Sequence, residues 1–472
     1  MKKFLFVCFI FFSVLVNGQN GWTLDSCISY AKKNNPSIKL QLLSAELAKI
    51  SLMHNKMSFL PDVFAGASHS YNYGQTVDRY TNNFASDRVQ SNNFYVGANV
   101  VLFNGFNLIN SYKKGKLDAE IAVLDAKQTT DDISLSIATA YLQILYALEM
   151  KNNAQKQLEL TLMQVEKNKK MFAVGAISEG NLLTIEAQAA SEESQLVNAE
   201  NQYDMANLTL AQMLDIEDVS SFRISEPEIN ELDTASFLLV DPKSVFEYAE
   251  KNHYGLIAEE YRVQAAEKSL NIARASRYPT LSLSGSIGTG YSGAARRLKD
   301  ITPSGIDTVG FTSGSPSEFV MMPSFVYNYE NTPFKDQINE NVNKSIGLQL
   351  NIPIFSRFNT NTAIKQAKIN LKMAEINYQQ KRMNLQKTVQ QAYFDASAAY
   401  KKYLAAKKQV LALQQAFKYT EHRFDLGLTT PLDYNDAKNK LSVANSDMLQ
   451  SKYDFIFRTK ILDYYRGKEL KL

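Results

Sequence analysis

Tyr30-Ala31-Lys32-Lys33-Asn34 returns as Tyr248-Ala249-Glu250-Lys251-Asn252, and Leu60-Pro61 returns as Tyr278-Pro279, each 218 positions later. Farther along the shift becomes 252. Leu102-Phe103 then pairs with Ile354-Phe355, Ala140-Tyr141 with Ala392-Tyr393, and Phe172-Ala173-Val174-Gly175 with Phe424-Asp425-Leu426-Gly427. The additional 34 residues fall in one Gly/Ser/Pro-rich stretch, Gly288 to Asn343. A repeat this long exceeds any solenoid unit. It reads as a duplicated domain whose halves stand side by side, with one surface loop enlarged.

Each half carries a long helix. From Asn107 to Lys170 there is no proline, and Ile133, Ile137, Ala140, Ile144 and Leu148 recur at helical spacing. Such a helix would be on the order of 95 Å long. Its counterpart runs from Asn359 to Arg423. The return segments are more regular still. Leu182, Ile185, Ala189, Glu192, Leu196, Ala199, Tyr203, Ala206, Leu210 and Met213 step by 3 and 4, as do Tyr434, Ala437, Leu441, Ala444, Met448, Ser451, Phe455, Arg458, Leu462 and Tyr465. That is heptad spacing, expected of a coiled coil or of an amphipathic core helix in a bundle. Gly175 and Gly427 sit where a helix C-terminus favours a left-handed residue. Ser178 and Thr430 then offer N-caps, with Pro431 at the first helical position. Pro36–Ser58 and Glu179–Asp215, placed end to end, roughly match the long helix beside them, as do Tyr254–Ser276 and Pro431–Tyr465 in the second half.

Four stretches alternate with period 2. In the fourth, Ile346, Leu348, Leu350, Ile352 and Ile354 oppose Ser345, Gly347, Gln349 and Asn351. In the third, Leu281, Leu283 and Ile287 oppose three serines, and in the second Phe94, Val96, Ala98, Val100 and Leu102 oppose Asn93 and Asn99. The first, Val63 to Tyr73, follows the same rule. Apolar on one side and small-polar on the other fits transmembrane β-strands around a wet lumen. It fits half-buried strands of a soluble sheet equally well. Four strands cannot close a barrel, and lipid does not tolerate open edges, so a membrane-spanning form would need several chains in one barrel. The spans are 62–74, 92–103, 280–291 and 343–355, with helical hairpins over 107–215 and 359–466. The halves are thus 19–215 and 243–466, separated by a linker 216–242 and followed by a tail 467–472. Gly74 to Asn92 and Gly288 to Asn343 read as solvent-facing loops.

Residues 1–18 read as a secretory signal: Lys2-Lys3, an apolar core from Phe4 to Val16, and a small-residue cleavage site before Gln19. That core is too short to span a bilayer, and no later run reaches about 18 apolar residues. Cys8 lies inside the signal core and Cys27 well past it, which argues against a lipid anchor and leaves one mature cysteine without a disulfide partner. A net charge of +3 argues against nucleic acid. The 25 Tyr and 26 Phe suit surfaces that are wet on one side and apolar on the other. His54, His69, His253 and His422 are isolated, and no spacing suggests a metal, a cofactor or an enzyme.

Signal, helix, two strands and long helical hairpin, then the same order again, resembles the TolC family of outer-membrane efflux and secretion ducts. The carriers are Trp22-Thr23-Leu24 with Tyr30-Ala31 and Asn34-Asn35-Pro36, then Phe59-Leu60-Pro61, the Gly175 and Gly427 tips, and Asp433 with Asp436. The resemblance covers the mature chain. It implies a mainly α protein with β-strands: a homotrimer forming a twelve-stranded β-barrel in outer-membrane lipid and a twelve-helix α-barrel crossing the periplasm. Residues 216–242 and 467–472 would form a belt around it. It implies a passive duct of a tripartite efflux pump or type I secretion system. A periplasmic adaptor would dock on Val174, Gly175, Ala176 and Ser178 of one tip and on Leu426, Gly427, Leu428 and Thr430 of the other. That adaptor would couple the duct to an inner-membrane pump of RND or ABC type.

Asp433 and Asp436 stand at i and i+3 on one face of a first helical turn. Spacing alone favours ordinary first-turn acids placed by the helix dipole. The resemblance implies instead two stacked carboxylate rings at a cation-selective constriction. The first repeat has Asn181 and Thr184 at these places, so only one of the two tips carries this charge. Thr429 and Thr430 follow Gly427 without a basic residue, so a salt bridge formed there to lock a closed tip is not expected. The reading from another class is an exported coiled-coil scaffold or adhesin without a pore.

Overall fold

The structure, a computed structural model, describes residues 21–78, 82, 84, 85, 88–219, 222–227 and 241–468. The signal segment 1–18, much of the 216–242 linker and the end of the tail lie outside the described residues. In the first half the elements are α1 (Leu24–Asn34), α2 (Pro36–Met57), β1 (Asp62–Asn72), β2 (Thr76–Val77), β3 (Phe84–Ala85), β4 (Val89–Asn104), α3 (Asn107–Ala173) and α4 (Glu179–Met213). The second half has α5 (Pro242–Asn252), α6 (Tyr254–Ala275), β5 (Thr280–Ser292), β6 (Arg296–Phe311), β7 (Phe319–Asn331), α7 (Phe334–Glu340), β8 (Asn343–Asn351), α8 (Asn359–Asp425) and α9 (Pro431–Tyr465). The chain is mainly helical with some sheet. The two long helices have 67 residues each and the two return helices 35 each, the equality expected of a duplication.

The chain divides into a helical unit, built from residues up to Lys49, from Lys116 to Ala265 and from Lys372 onward, and a sheet unit of Ile50–Gly115 and Ala266–Leu371. Helix starts in the helical unit are written locally. Thr23 caps α1 by accepting from the Ser26 N–H at 3.2 Å. Asp241 caps α5 through the Lys243 and Ser244 N–H groups, with Pro242 at the first position. All ten heptad positions of α4 and of α9 are buried or half-buried, so the stripe faces the packed side in both halves.

One core cluster gathers Cys27, Ile137, Tyr141, Ile144, Leu210 and Phe222. Tyr141 is 1% exposed, and its hydroxyl donates to the Ser225 carbonyl at 2.5 Å and the Trp22 carbonyl at 3.1 Å. It thereby pins the parallel bridge between Trp22 and Ile224. A second cluster gathers Val245, Leu256, Val389, Ala396, Phe455 and Leu462. An 18-residue window of α3 reaches a mean hydropathy of 1.3, enough by composition to cross a bilayer. Ile137, Tyr141 and Ile144 of this helix are core residues.

In the sheet unit four strands form one antiparallel sheet in the order β1-β4-β5-β8. Its register aligns the alternation across all four strands. Val63 pairs with Ala98, Ala98 with Gly285 and Gly285 with Ile346, while Val100 pairs with Leu283 and Leu283 with Leu348. Next along, Asn99 pairs with Ser284 and Ser284 with Gly347. One face is therefore apolar and the other mostly small and polar, apart from the Phe64 and Tyr95 rings over Gly97 and Gly66, with the Ser286 and Ser345 hydroxyls 2.8 Å apart on the polar side. Ile346 is 81% and Leu348 67% exposed, so the apolar face is bare in a single chain.

One reading of the sequence is corrected here. Gly288 to Asn343 is not a loop: β6 and β7 pair along their whole length as a separate two-stranded ribbon, and α7 follows. Three irregularities in β6, described below, break its period-2 pattern and conceal the strand. In the shorter Gly74–Asn92 segment, β2 and β3 form a small pair.

Candidate functional site: the two helical tips

Each tip is a helix stop, a left-handed glycine and a new N-cap. At the first, Gly175 has φ +74°, its N–H donates to the Phe172 carbonyl at 2.9 Å, and the Ala176 N–H reaches the Met171 carbonyl at 2.8 Å. At the second, Gly427 has φ +70°, its N–H meets the Phe424 carbonyl at 3.0 Å, and the Leu428 N–H meets the Arg423 carbonyl at 2.8 Å. This pairing satisfies the last carbonyls of a helix and requires φ > 0. A Cβ on either glycine would meet nothing within 4 Å, so conformation alone demands glycine. Val174, Leu426 and Leu428 are exposed, as are Ala176, Ser178 and Thr430. The tips thus present apolar knuckles to solvent.

Ser178 accepts from the Asn181 N–H at 3.4 Å. Thr430 forms a reciprocal box: its hydroxyl oxygen accepts from the Asp433 N–H at 3.2 Å and donates to the Asp433 carboxylate at 2.7 Å, which also accepts from the Thr430 N–H at 3.4 Å. The Thr430 hydroxyl, then its N–H, then the Thr429 hydroxyl hold the Asp433 carboxyl below the usual range. Asp436 is exposed and pairs with Lys440 at 2.7 Å. Within one chain Asp433 therefore sits in the first turn and serves its own cap, while Asp436, in the second turn, pairs with a lysine one turn on.

Two links between the hairpins were not legible in the sequence. Lys167 of α3 pairs with Asp425 of α8 at 2.8 Å, immediately before the Gly427 turn. A salt bridge thus does stand beside this tip, although no basic residue follows Gly427: its cation comes from the other hairpin. Deeper, Lys438 of α9 pairs with Glu192 of α4 at 3.1 Å, with side chains only 5% and 2% exposed. The lysine also donates to the Gln157 carbonyl at 3.2 Å and to the Thr161 hydroxyl. Burial pulls the Lys438 pKa down, opposed by the Glu192 charge. The available signal was Glu192 itself, an acid at a core heptad position.

The family described as Outer membrane efflux protein matches residues 27–215 and 245–456. The chain belongs to that family. Its place is the outer membrane and its role that of an efflux channel. It is 22% identical over 451 residues to the outer membrane protein TolC of Escherichia coli, covering 94% of this chain and 81% of that one. Its fold matches that of the outer membrane protein VceC from Vibrio cholerae with a TM-score of 0.73 at 17% identity, over 95% and 96% of the two chains. It likewise matches the CmeC outer membrane channel of Campylobacter jejuni, with a TM-score of 0.72 at 17% identity, over 95% and 87%. The scaffold or adhesin reading is not favoured by an outer membrane efflux family.

Proposed function

We propose that this efflux channel works as a homotrimer, its three sheets closing one twelve-stranded barrel in outer-membrane lipid and its hairpins one periplasmic α-barrel. The observation that carries the reading is the four-stranded sheet, apolar over one face and largely polar over the other, with the outer edges of β1 and β8 unpaired among the described residues. Open edges in lipid leave backbone groups unsatisfied, and pairing β8 with β1 of another copy removes every edge. The helical tips dock a periplasmic adaptor, which couples the duct to an inner-membrane pump of RND or ABC type. Exposed Val174, Leu426 and Leu428 on glycine-fixed turns support that docking role. Asp433 and Asp436 line the narrow end as the charged constriction.

Chemical crosslinking in mild detergent tests the assembly. The reading expects a ladder ending at three chains and a heat-sensitive trimer band. A ladder ending at one or two chains would overturn it.

A further inference from the structure

The β6–β7 ribbon is amphipathic in a way that requires its irregular register. On β7, Phe319, Met321, Pro323, Phe325, Tyr327 and Tyr329 alternate strictly onto one face. Their partners on β6 are Phe311, Thr308, Ile306, Pro303, Ile301 and Leu298. These are spaced by 2 and 3 in turn, because register shifts occur between Leu298 and Asp300, between Pro303 and Gly305, and between Thr308 and Gly310. A bulge inserts one residue and resets the alternation. Without the three bulges, Asp300, Thr302 and Ser304 would join the apolar row.

The opposite face is mixed: Val320, Met322 and Val326 stand there among polar pairs, Arg297 with Glu330 at 2.8 Å, the Ser304 and Ser324 hydroxyls at 2.9 Å, and Asn328 donating to Thr302 at 3.3 Å. The apolar face lies open in one chain, with Ile306 68%, Phe311 67% and Met321 61% exposed. A two-stranded ribbon is marginal in water unless a face is covered.

We infer that the apolar face of residues 296–331 is an interface between copies of this chain, each ribbon covered by the ribbons of its neighbours. The inference rests on the proposed trimer. Lipid is the poorer occupant, because among the described residues β6 and β7 pair only with one another and each presents an open backbone edge. A second ribbon can pair an edge as well as cover a face. The root of the ribbon is fixed, so copies present it alike. Thr332 N–H donates to the Ala295 carbonyl at 2.9 Å, and Gln337 bridges the Ser292 and Thr332 carbonyls at 3.0 and 2.8 Å. Directly after α7 the chain enters β8, the sheet edge where the proposed neighbour joins.

Cysteines placed singly at Phe325→Cys and Tyr327→Cys (apolar face) and at Ser324→Cys and Asn328→Cys (polar face) test this in native outer membranes. Cys27 is fully buried and does not compete. Copper-phenanthroline oxidation is expected to give disulfide-linked dimers from the apolar-face pair at least about tenfold above the polar-face pair. The same samples are sized in detergent. A three-chain particle without apolar-face disulfides would overturn the ribbon interface and leave the trimer standing, whereas a single-chain particle would overturn both. Equal alkylation of both faces on whole cells by an impermeant maleimide would show an open face and reject the inference. So would quenching of Tyr327→Trp fluorescence by brominated phospholipid, which would give the face to the bilayer.

Discussion

Lys438 and Glu192 face each other 3.1 Å apart across two helical hairpins, almost wholly out of water. A buried pair contributes little against an apolar pair of the same size, but removing one partner strands a charge. Lys438→Met alone, or Glu192→Leu alone, is expected to cost about 3–5 kcal/mol. The double variant should recover most of that loss. Thermal unfolding followed by circular dichroism in a double-mutant cycle checks it. Additive losses would mean that the two residues do not act as a pair.

The glycine turns give a second expectation. Gly175→Val and Gly427→Val force a β-branched residue to φ +74° and +70°, a strain of about 1–3 kcal/mol at each turn. Efflux should fall sharply while outer-membrane insertion stays near normal. A drug-accumulation assay beside a membrane fractionation separates the two effects. Full efflux by both variants would exclude the tips as a docking surface.

Charge at the aperture is tested by Asp433→Asn with Asp436→Asn, which keeps side-chain shape while deleting the carboxylates. Planar-bilayer recordings should show weaker cation preference and less block by trivalent cations added from the periplasmic side. Unchanged selectivity would reduce both acids to what one chain displays, a cap partner for Thr430 and a mate for Lys440.

His253 supplies a pH dependence. Its Nδ1 is buried without a hydrogen-bond partner among the described residues, its ring stacks on Tyr465 at 6.3 Å, and burial followed by the Lys381 charge lowers its pKa from 6.5. The unfolded chain then takes up the proton first as pH falls. Stability tied to this residue is full above about 6.5 and declines below it, levelling off under the folded pKa. The melting temperature should therefore drop more between pH 7.5 and 5.5 in the native protein than in His253→Phe, which keeps the stack and cannot titrate. Parallel curves would remove His253 from the response.

Periodicity carried most of the fold. Both heptad stripes, the four alternating strands and the glycine tips are local patterns of 2, 3.6 or single-residue spacing, and the helices and main sheet follow them. The ribbon was lost because three bulges disguise β6, and pairing between strands is what reveals its face. Lys167–Asp425 and Lys438–Glu192 join residues 258 and 246 positions apart, beyond any local pattern. Asp433 was legible as a first-turn acid, yet its engagement by Thr430 depends on side-chain rotamers that composition does not specify.

The seam between β4 and β5 has an evolutionary consequence. There the second strand of one half meets the first strand of the other, the same contact that β8 and β1 would make between copies. A closed ring built on such seams is indifferent to which of them are covalently linked, so six half-length ancestors could close the same barrel as three fused chains. Fusion relaxes strict six-fold symmetry to three-fold and frees the two halves to diverge. This chain has used that freedom twice: the short β2–β3 pair of its first half is matched by a long β-ribbon in its second, and Asn181 and Thr184 of the first tip are matched by Asp433 and Asp436 in the second.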